Sequence, residues 1–564
     1  MKRLFSLLTI TLIISFSSCG KKFYQEPDER TTETDVFDPN DKLGTLATSY
    51  LLGIYSFLPT GFNRIDGDFL DAATDDAVPS SPRSNIVLFN NGQLTAVNYP
   101  DNNWANSYTI IRRCNVFLQN IDVVPFSDAS VKKREVAEVH FLRAFAYFEL
   151  VKRYGGVPLV GDKVFSLDDN MNIPRNTFSD CVDYIAAECD LAIPGLTLAS
   201  ALSSNEYGRA TVEAAMALKC RLFLYAASPL YNGGGVETNA QIKALTGYPT
   251  ADATRWQKVI TAAEALMSIG YHKLPAGTGA TAYAAVFTTK INTDIIFAKQ
   301  SAASVSIENA NAPVGYVSPN TSNGRNSPTQ NLLNAFPNAD GSAYTGSSTS
   351  LTQYTGRDPR LQAIIFYNGV NWLGRAVQTF EGGLDKPNTP LKTQTRTAYY
   401  LRKFMADFST ATNYANQSHN FPYFRYAEVL LNYAEALNEV GRTEDAVKQL
   451  IPIRARAGIT AGVGNRYGIK AGISQTELRD LIRNDRRIEL CFEEHRFWDL
   501  RRWKLGSVLA SSLQGLQLTP NGTTYNVQVV DVAQPVFQDK YYHMPIPYSE
   551  TAKNTKLIQN EGYY

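Results

Sequence analysis

The stretch that decides the fold is IRNDRRIELCFEEHRFWDLRRWK, residues Ile482–Lys504. We call these residues the opening stretch. It holds seven basic residues and four large aromatic ones, with acidic residues between them. Opposite charges recur three positions apart, in the pairs Arg486 with Glu489, Glu493 with Arg496, and Asp499 with Arg502. Such pairs are neighbours on a helix. Because arginine stacks on indole rings and binds carboxylates with two nitrogens, the stretch predicts an interlocked and partly buried network of side chains. The alternative is an amphipathic helix with a solvated charged face.

Charge and cysteine usage exclude several classes of function. The chain carries 54 basic and 53 acidic residues, and removal of Lys2 and Arg3 with an N-terminal signal leaves it nearly neutral. We therefore expect no nucleic-acid partner. Apart from Cys19, the thiols are widely spaced and no C-x-x-C occurs, so buried thiols are expected and neither a zinc site nor a disulfide framework is indicated. These thiols are Cys114, Cys181, Cys189, Cys220 and Cys491.

The N-terminus has the pattern of a secretory signal. Basic Lys2 and Arg3 precede a mostly apolar run from Leu4 to Phe16, which is too short to span a bilayer. Small residues then come directly before Cys19. We predict a lipoprotein signal peptide over residues 1–18, lipidation of Cys19 and a tether over residues 19–40. Ordinary secretion without lipidation is the alternative.

Helical periodicity covers most of the remaining chain. Residues 131–154 form a broad apolar stripe that ends at Gly155-Gly156-Val157-Pro158, a typical helix stop. Helices pair at about 131–191 and 211–269, and the unit Tyr426–Gly458 has 33 residues, close to the tetratricopeptide period. The predicted fold is mostly α: a tetratricopeptide-like scaffold of helix pairs with a long loop-rich insertion that contains short β-strands.

The insertion lies at about residues 290–421 and is rich in Ser, Thr, Asn and Gly. Strand-like runs interrupt it at 294–299, 363–367 and 399–404. Long loops in a compact protein are usually disordered or build a site, and the many aromatic residues here favour an ordered surface. The block 65–104 has the same character.

Six segments in chain order resemble the SusD/RagB family, the surface nutrient-binding lipoproteins of Bacteroidetes. They are NWANSYTIIRRCNVFLQNID (103–122), AEVHFLRAFAYFELVKRYGGVPLV (137–160), YGRATVEAAMALKCRLFLYAASP (207–229), YFRYAEVLLNYAEALNEVG with IRARAG (423–441 and 453–458), the opening stretch, and YHMPIPYSETAKNTKLIQNEGYY (542–564). The resemblance implies SusD-like helical regions over 41–290, which includes ligand-binding loops, and over 422–564, with a loop-rich ligand-binding region over 291–421 between them.

The resemblance also implies a function. Members of the family are lipid-anchored at the outer membrane, capture oligosaccharides or in some branches peptides, and cover a SusC-like TonB-dependent transporter without catalysing a reaction. We therefore expect a cell-surface protein with a glycan or peptide ligand, that transporter as partner, and no catalytic residue. Gly20-Lys21-Lys22 departs from the acidic residues that often follow the cysteine of surface-exported lipoproteins, which leaves the outward orientation open.

A sugar site needs flat exposed aromatic rings with amides and arginines at its edge. Trp372 in FYNGVNWLG is the leading candidate platform, with Asn371 and Tyr367 beside it and Tyr344 in a neighbouring loop. The alternative for Trp372 is a plug that packs the loop onto the body. A second candidate group comprises Arg83, Tyr99 and Asn102, for which a core or turn role is equally open.

Other chemistry is weakly indicated. Asp66, Asp68, Asp71, Asp75 and Asp76 form an acidic cluster that lacks the pattern of a calcium-binding loop, so a solvated acidic loop is predicted and calcium is the alternative. The motifs of zinc proteases, serine hydrolases and phosphate-binding loops do not occur. We expect no cofactor. The competing functions are an exported tetratricopeptide-type adaptor, a peptide-binding protein of the RagB type, and a glycan hydrolase that uses Glu493 and Glu494.

Overall fold

Helices make up most of the secondary structure in the computed structural model, which describes residues 33–317, 321–389, 393–408 and 413–563. The predicted signal peptide, Cys19 and most of the predicted tether lie outside these residues. The α-helices, numbered in chain order, are α1 (Glu33–Val36), α2 (Thr45–Ser56), α3 (Trp104–Asn120), α4 (Ala129–Tyr154), α5 (Phe178–Ala192), α6 (Val212–Ala227), α7 (Ala240–Thr246), α8 (Arg255–Ser268), α9 (Gly279–Thr288), α10 (Ser306–Asn311), α11 (Gln330–Ala335), α12 (Arg360–Ile364), α13 (Tyr426–Glu439), α14 (Thr443–Ala457), α15 (Gln475–Glu489), α16 (His495–Arg502), α17 (Gly506–Leu509) and α18 (Tyr548–Thr551).

The long helices pack in succession and confirm the predicted scaffold of helix pairs. Helix α4 packs between α3 and α5, α5 packs on α6, and α6 on α8. Helix α13 then contacts α8 on one side and its own partner α14 on the other. Their apolar faces form one continuous core that also takes in the rings of the loop-rich region.

Local signals in the sequence set the ends of these helices. Helix α4 begins after Asp128, whose side chain accepts a hydrogen bond from the Ser130 amide, and it ends at Gly155 with φ of 77°. A Cβ atom on Gly155 would lie 2.5 Å from the Leu245 carbonyl oxygen, so both conformation and space require glycine there. Helices α5 and α15 each begin with a capping box, formed by Thr177 with Asp180 and by Ser474 with Glu477.

Ten short strands within the described residues pair into five antiparallel two-stranded sheets. The pairs are β1 (Ala77–Pro79) with β3 (Asn326–Pro328), β2 (Ile295–Lys299) with β8 (Phe421–Arg425), β4 (Ile365–Phe366) with β7 (Tyr400–Leu401), β5 (Asn371–Trp372) with β6 (Arg375–Ala376), and β9 (Leu513–Asn521) with β10 (Thr524–Ala533). The β2–β8 pair closes the base of the loop-rich region, because Ile295 lies opposite Arg425. The β1–β3 pair joins that region to the block 65–104, since Ala77 lies opposite Pro328.

The hairpin β9–β10 is a feature that the sequence analysis missed. Its two strands are joined through Gly522, which has φ of 60°. Asn521-Gly522 between alternating apolar residues is a strong hairpin signal, so the sequence did contain the information.

The opening stretch is not one helix, and this corrects the prediction. Helix α15 ends at Glu489, residues 490–494 turn, and α16 begins at His495. Phe492 and Glu494 adopt φ of 59° and 67° at this break. Glu493 lies in this break and outside both helices, so its spacing of three from Arg496 does not place the two side chains on one helix face.

Of the three predicted ion pairs, only Asp499 with Arg502 forms, at 2.7 Å. Arg486 instead donates to Asp499 across the break, at 2.6 Å. The burial that we predicted is confirmed and is nearly complete, since Glu489 and Arg502 have no exposed surface. Among the described residues, no helix is both long enough and apolar enough to cross a bilayer.

Candidate functional site

Trp372 lies in the hairpin β5–β6, whose two-residue turn is Leu373-Gly374. Both turn residues have positive φ, of 48° and 78°, which is the backbone of a type I′ turn. The indole of Trp372 is 2% exposed. Its ring centroid lies 5.0 Å from that of Tyr316 and 4.9 Å from that of Phe366, and its N–H donates to the Ala406 carbonyl at 3.3 Å. The prediction of an exposed platform is therefore wrong, and Trp372 has the plug geometry that was its alternative.

Tyr344 and Tyr367 are the predicted loop aromatics that remain half-buried. Tyr367 stacks on Tyr354, with ring centroids 3.9 Å apart and an interplanar angle of 12°. Its hydroxyl donates to Gln362 Oε1 at 2.8 Å. Tyr344 lies under the guanidinium of Arg357, at 3.7 Å from the ring centroid. We call Tyr344, Tyr354 and Tyr367 the tyrosine surface.

The tyrosine surface is held rigidly by its neighbours. Arg357 donates to the Gln353 carbonyl at 2.9 Å and to the Leu333 carbonyl at 2.8 Å, which fixes the plane that supports Tyr344. Sequence reasoning missed Arg357, and its only local signal is an arginine among loop aromatics. Preorganised rings of this kind bind a flat ligand face without a large loss of side-chain entropy.

Three predicted polar residues are exposed and one aromatic is not. Asn371, Arg83 and Asn102 lie at the surface, and Asn102 Oδ1 accepts a hydrogen bond from the Trp104 amide at 3.1 Å. Tyr99 is 6% exposed and packs edge-on against Phe89 and Tyr154, so it is a core residue. The prediction that Tyr99 offers an exposed ring to a ligand is therefore wrong.

The two candidate groups do not share contacts within the described residues. The loop that carries Tyr99 is anchored by Asp101, which accepts hydrogen bonds from Arg64 at 2.6 Å and from Arg153 at 2.8 Å. Arg64 also donates to Glu494 at 2.7 Å, so this loop is tied to the break in the opening stretch. Trp372 and its rings pack elsewhere in the loop-rich region.

Four of the five residues of the acidic cluster are buried and Asp66 is exposed, so the cluster as a whole is not a solvated loop, which is a second correction. Asp68, Asp71 and Asp76 have no exposed surface and Asp75 is 4% exposed. Asp75 accepts hydrogen bonds from Arg496, and Asp76 from Arg487, so arginines of the opening stretch neutralise them.

Burial raises the pKa of Asp71 to about 8, although that carboxylate accepts the Phe492 amide at 2.6 Å. Burial also raises the pKa of Asp68 to about 7. Within the described chain no group of three or more His, Cys, Asp or Glu side chains is arranged to hold a metal ion. The calcium alternative therefore gains no support from the cluster.

The carboxylates of the opening stretch are engaged by cations. Glu493 accepts from Lys403 at 2.6 Å and from Arg425 at 2.7 Å, and Glu494 accepts from Arg64. Burial alone would raise the pKa of Glu489, but Arg456, Arg425 and Arg360 outweigh it and hold that pKa well below its usual value. For Glu489 these arginines favour the charged form, whereas a general acid must carry a proton. The geometry fits a structural ion-pair centre.

The fold and these surfaces define a class: a helical-pair protein with a rigid, loop-built aromatic surface and a buried ion-pair core. Two family models match the chain, one described as the SusD family over residues 293–563 and one as starch-binding associating with outer membrane over residues 26–224. A crystal structure of a SusD-like protein from Bacteroides fragilis is 30% identical, covers 93% of this chain and 98% of its own, and superposes with a TM-score of 0.78.

Other relatives of this chain are also SusD-like proteins. The SusD-like protein P38 of Formosa agariphila is 23% identical over 534 residues, 91% of this chain and 94% of its own length. A laminarin-binding SusD-like protein shares the fold at 21% identity and a TM-score of 0.62, covering 93% of this chain and all of its own. The chain belongs to the SusD family, as the sequence motifs predicted.

Proposed function

We propose that this protein captures oligosaccharides at the cell surface on its tyrosine surface and delivers them to a SusC-like TonB-dependent transporter. The observation that carries the proposal is the pair of half-buried rings Tyr344 and Tyr367, preorganised by Arg357 and Tyr354 on a chain of the SusD family. Pyranose rings present apolar C–H faces ringed by hydroxyls, and such faces pack on tyrosine rings. The family model associated with the outer membrane supports the location.

Exposed polar groups complete the proposed site. Asn371 offers an exposed amide on the first strand of the hairpin β5–β6, and Gln362 accepts a hydrogen bond from the Tyr367 hydroxyl. Arg83 and Asn102 are exposed on the block 65–104, which the β1–β3 pair attaches to the loop-rich region.

The proposed role is binding without catalysis. Glu493 and Glu494 are the carboxylates that the sequence suggests for glycoside cleavage. Glu493 accepts hydrogen bonds from Lys403 and Arg425, and Glu494 accepts one from Arg64.

Binding is tested by calorimetry on the mature chain with oligosaccharides of starch, β-1,3-glucan and host N-glycans, and with peptides. Tyr367→Ala and Tyr344→Ala should each weaken binding by about five- to tenfold, the size of one ring contact. Tyr548→Ala is the matched control, because that side chain is 60% exposed outside the site. Binding of peptides alone would favour the RagB-type function, and release of reducing ends would favour a hydrolase.

Delivery and anchoring are tested separately. Isolation of the protein from outer membranes should recover a TonB-dependent barrel, and mass spectrometry should find acyl chains on Cys19 that Cys19→Ala lacks. Protease treatment of intact cells should remove the protein if it faces outward. Recovery of a barrel without any ligand response would support the adaptor function instead.

A further inference from the structure

A cavity of about 210 Å³ opens on the helical scaffold, away from the tyrosine surface. Its walls come from three segments: residues 199–211 before and at the start of α6, residues 271–272 after α8, and residues 291–300 around β2. At ~30 Å³ per liquid water, it holds the volume of about seven waters. That is room for one sugar-sized ring and not for an extended chain.

Two apolar side chains that line this cavity are exposed. Tyr271 is 37% and Ile291 46% exposed, although both line the cavity. The turn that presents Ile291 is rigid, because Asn292 donates to the carbonyls of Val286 and Thr289 at 3.0 Å. Exposed apolar side chains around a cavity mouth typically mark a binding site.

The wall also contains hydrogen-bonding atoms that lack partners. His272 is 6% exposed, and its Nδ1–H donates to the Thr293 carbonyl at 3.0 Å. That bond fixes the tautomer and makes Nε2 an acceptor. Within the part of the chain that the structure describes, neither His272 Nε2 nor Gln300 Oε1 has a hydrogen-bond partner. Buried acceptors without donors are rare, and a ligand hydroxyl is the donor that both lack.

Close packing holds Gln300 in this wall. A Cβ atom on Gly208 would lie 2.4 Å from Gln300 Cγ, so only glycine at position 208 leaves room for the glutamine. Gly208 also has φ of 103°, which other residues rarely adopt. The chain therefore maintains a specific backbone shape to place an amide at the cavity.

Charge indicates the class of ligand. Arg209 is the only charged residue among those that line the cavity, and it is paired with Glu138 at 2.9 Å. The wall therefore has no unpaired charge to recognise a carboxylate, a phosphate or an amine. The remaining chemistry is the exposed apolar side chains of Tyr271 and Ile291, the exposed hydroxyls of Ser203 and Ser204, and buried acceptor atoms, which matches a neutral ring that carries hydroxyl groups.

We infer that this cavity binds a single neutral pyranose residue, as a second carbohydrate site separate from the tyrosine surface. The apolar face of the sugar packs on Tyr271 and Ile291, and its hydroxyls donate to His272 and Gln300. The site takes either a free monosaccharide or the terminal residue of a longer glycan. It does not rest on the function proposed for the tyrosine surface.

The test is saturation-transfer NMR on the mature chain with glucose, galactose, mannose, xylose and N-acetylglucosamine, one at a time. At least one should bind, and Tyr271→Ala should weaken it about fivefold or more, the size of one aromatic contact. Ser204→Trp, at an exposed lining position, should block the cavity and abolish binding. Tyr548→Ala and Tyr367→Ala should bind the same sugar as the unaltered protein does.

Three results would overturn the inference: no binding by any of the five sugars, binding that survives both cavity variants, or a response to free amino acids alone. Both cavity substitutions are at exposed positions, and equal thermal midpoints would verify that the variants are folded. If Tyr367→Ala loses oligosaccharide binding and Tyr271→Ala keeps it, the result locates that binding at the tyrosine surface and leaves the cavity untouched. Failure of one site is thus distinguishable from failure of the other.

Discussion

Glu489→Gln is the sharpest test of the buried ion-pair centre. Three guanidinium groups bind this carboxylate: Arg360 at 2.8 Å, Arg425 at 2.7 Å, and Arg456 through a short contact. Glutamine keeps the shape of the side chain but removes its charge. We expect unfolding free energy to fall by about 3–5 kcal/mol, the usual cost of an unbalanced buried charge.

The magnitude follows from the charges that remain. The centre contains four cations and four anions, namely Arg360, Arg425, Arg456 and Lys403 with Asp358, Asp294, Glu489 and Glu493. Without Glu489, Arg360 retains Asp358 at 2.6 Å and Arg425 retains Glu493 at 2.7 Å. The nearest carboxylate left to Arg456 is Asp294 at 3.9 Å. One buried positive charge is therefore left uncompensated.

Urea titration followed by tryptophan fluorescence measures the loss. Glu444→Gln is the matched control, because that side chain is 56% exposed and pairs with Arg466 at the surface, so we expect about 0.2–1 kcal/mol. Adding Arg456→Met to Glu489→Gln restores charge balance and should recover part of the loss, a coupling of about 0.5–3 kcal/mol. Equal costs for Glu489→Gln and Glu444→Gln, or simple additivity in the double variant, would refute the reasoning.

Three further predictions concern other residues. Trp372→Phe should lower the thermal midpoint, because it leaves a gap among packed rings, yet keep oligosaccharide affinity within about twofold; lost affinity at unchanged stability would restore Trp372 as a platform. Asp71 has a pKa of about 8 when folded and ~3.9 when unfolded, so the folded state retains a proton that the unfolded state loses, and stability falls as pH rises from 4 to 8. The stability of Asp71→Asn relative to the unaltered protein should therefore grow between pH 5 and pH 8, by up to about 1.4 kcal/mol per unit, and a constant difference in urea titrations would contradict the assignment. Cys491 is fully buried with a pKa raised to about 12, so it should resist a thiol reagent at pH 8 until urea is added, whereas rapid labelling of the native protein would disprove its burial.

The sequence determined the helical scaffold because its signals are local. The stripe along α4, its stop at Gly155 and the 33-residue unit of α13 and α14 each depend on residues a few positions apart. The family motifs likewise required only order along the chain, and they predicted membership correctly. The hairpin β9–β10 could have been predicted for the same reason, because Asn521-Gly522 is a local turn signal.

Tertiary structure alone decided the partners of the charges and the exposure of the rings. Arg496 bonds with Asp75, which lies 421 positions away, and Glu489 with Arg360, so spacing along a helix predicted the wrong pairs. Trp372 and Tyr99 occupy polar loops in the sequence, yet rings from distant segments cover them. Burial depends on what folds back over a residue, and no local pattern records that. The opening stretch was thus correctly predicted to be buried and interlocked, while the direction of each of its side chains depended on the break at residues 490–494.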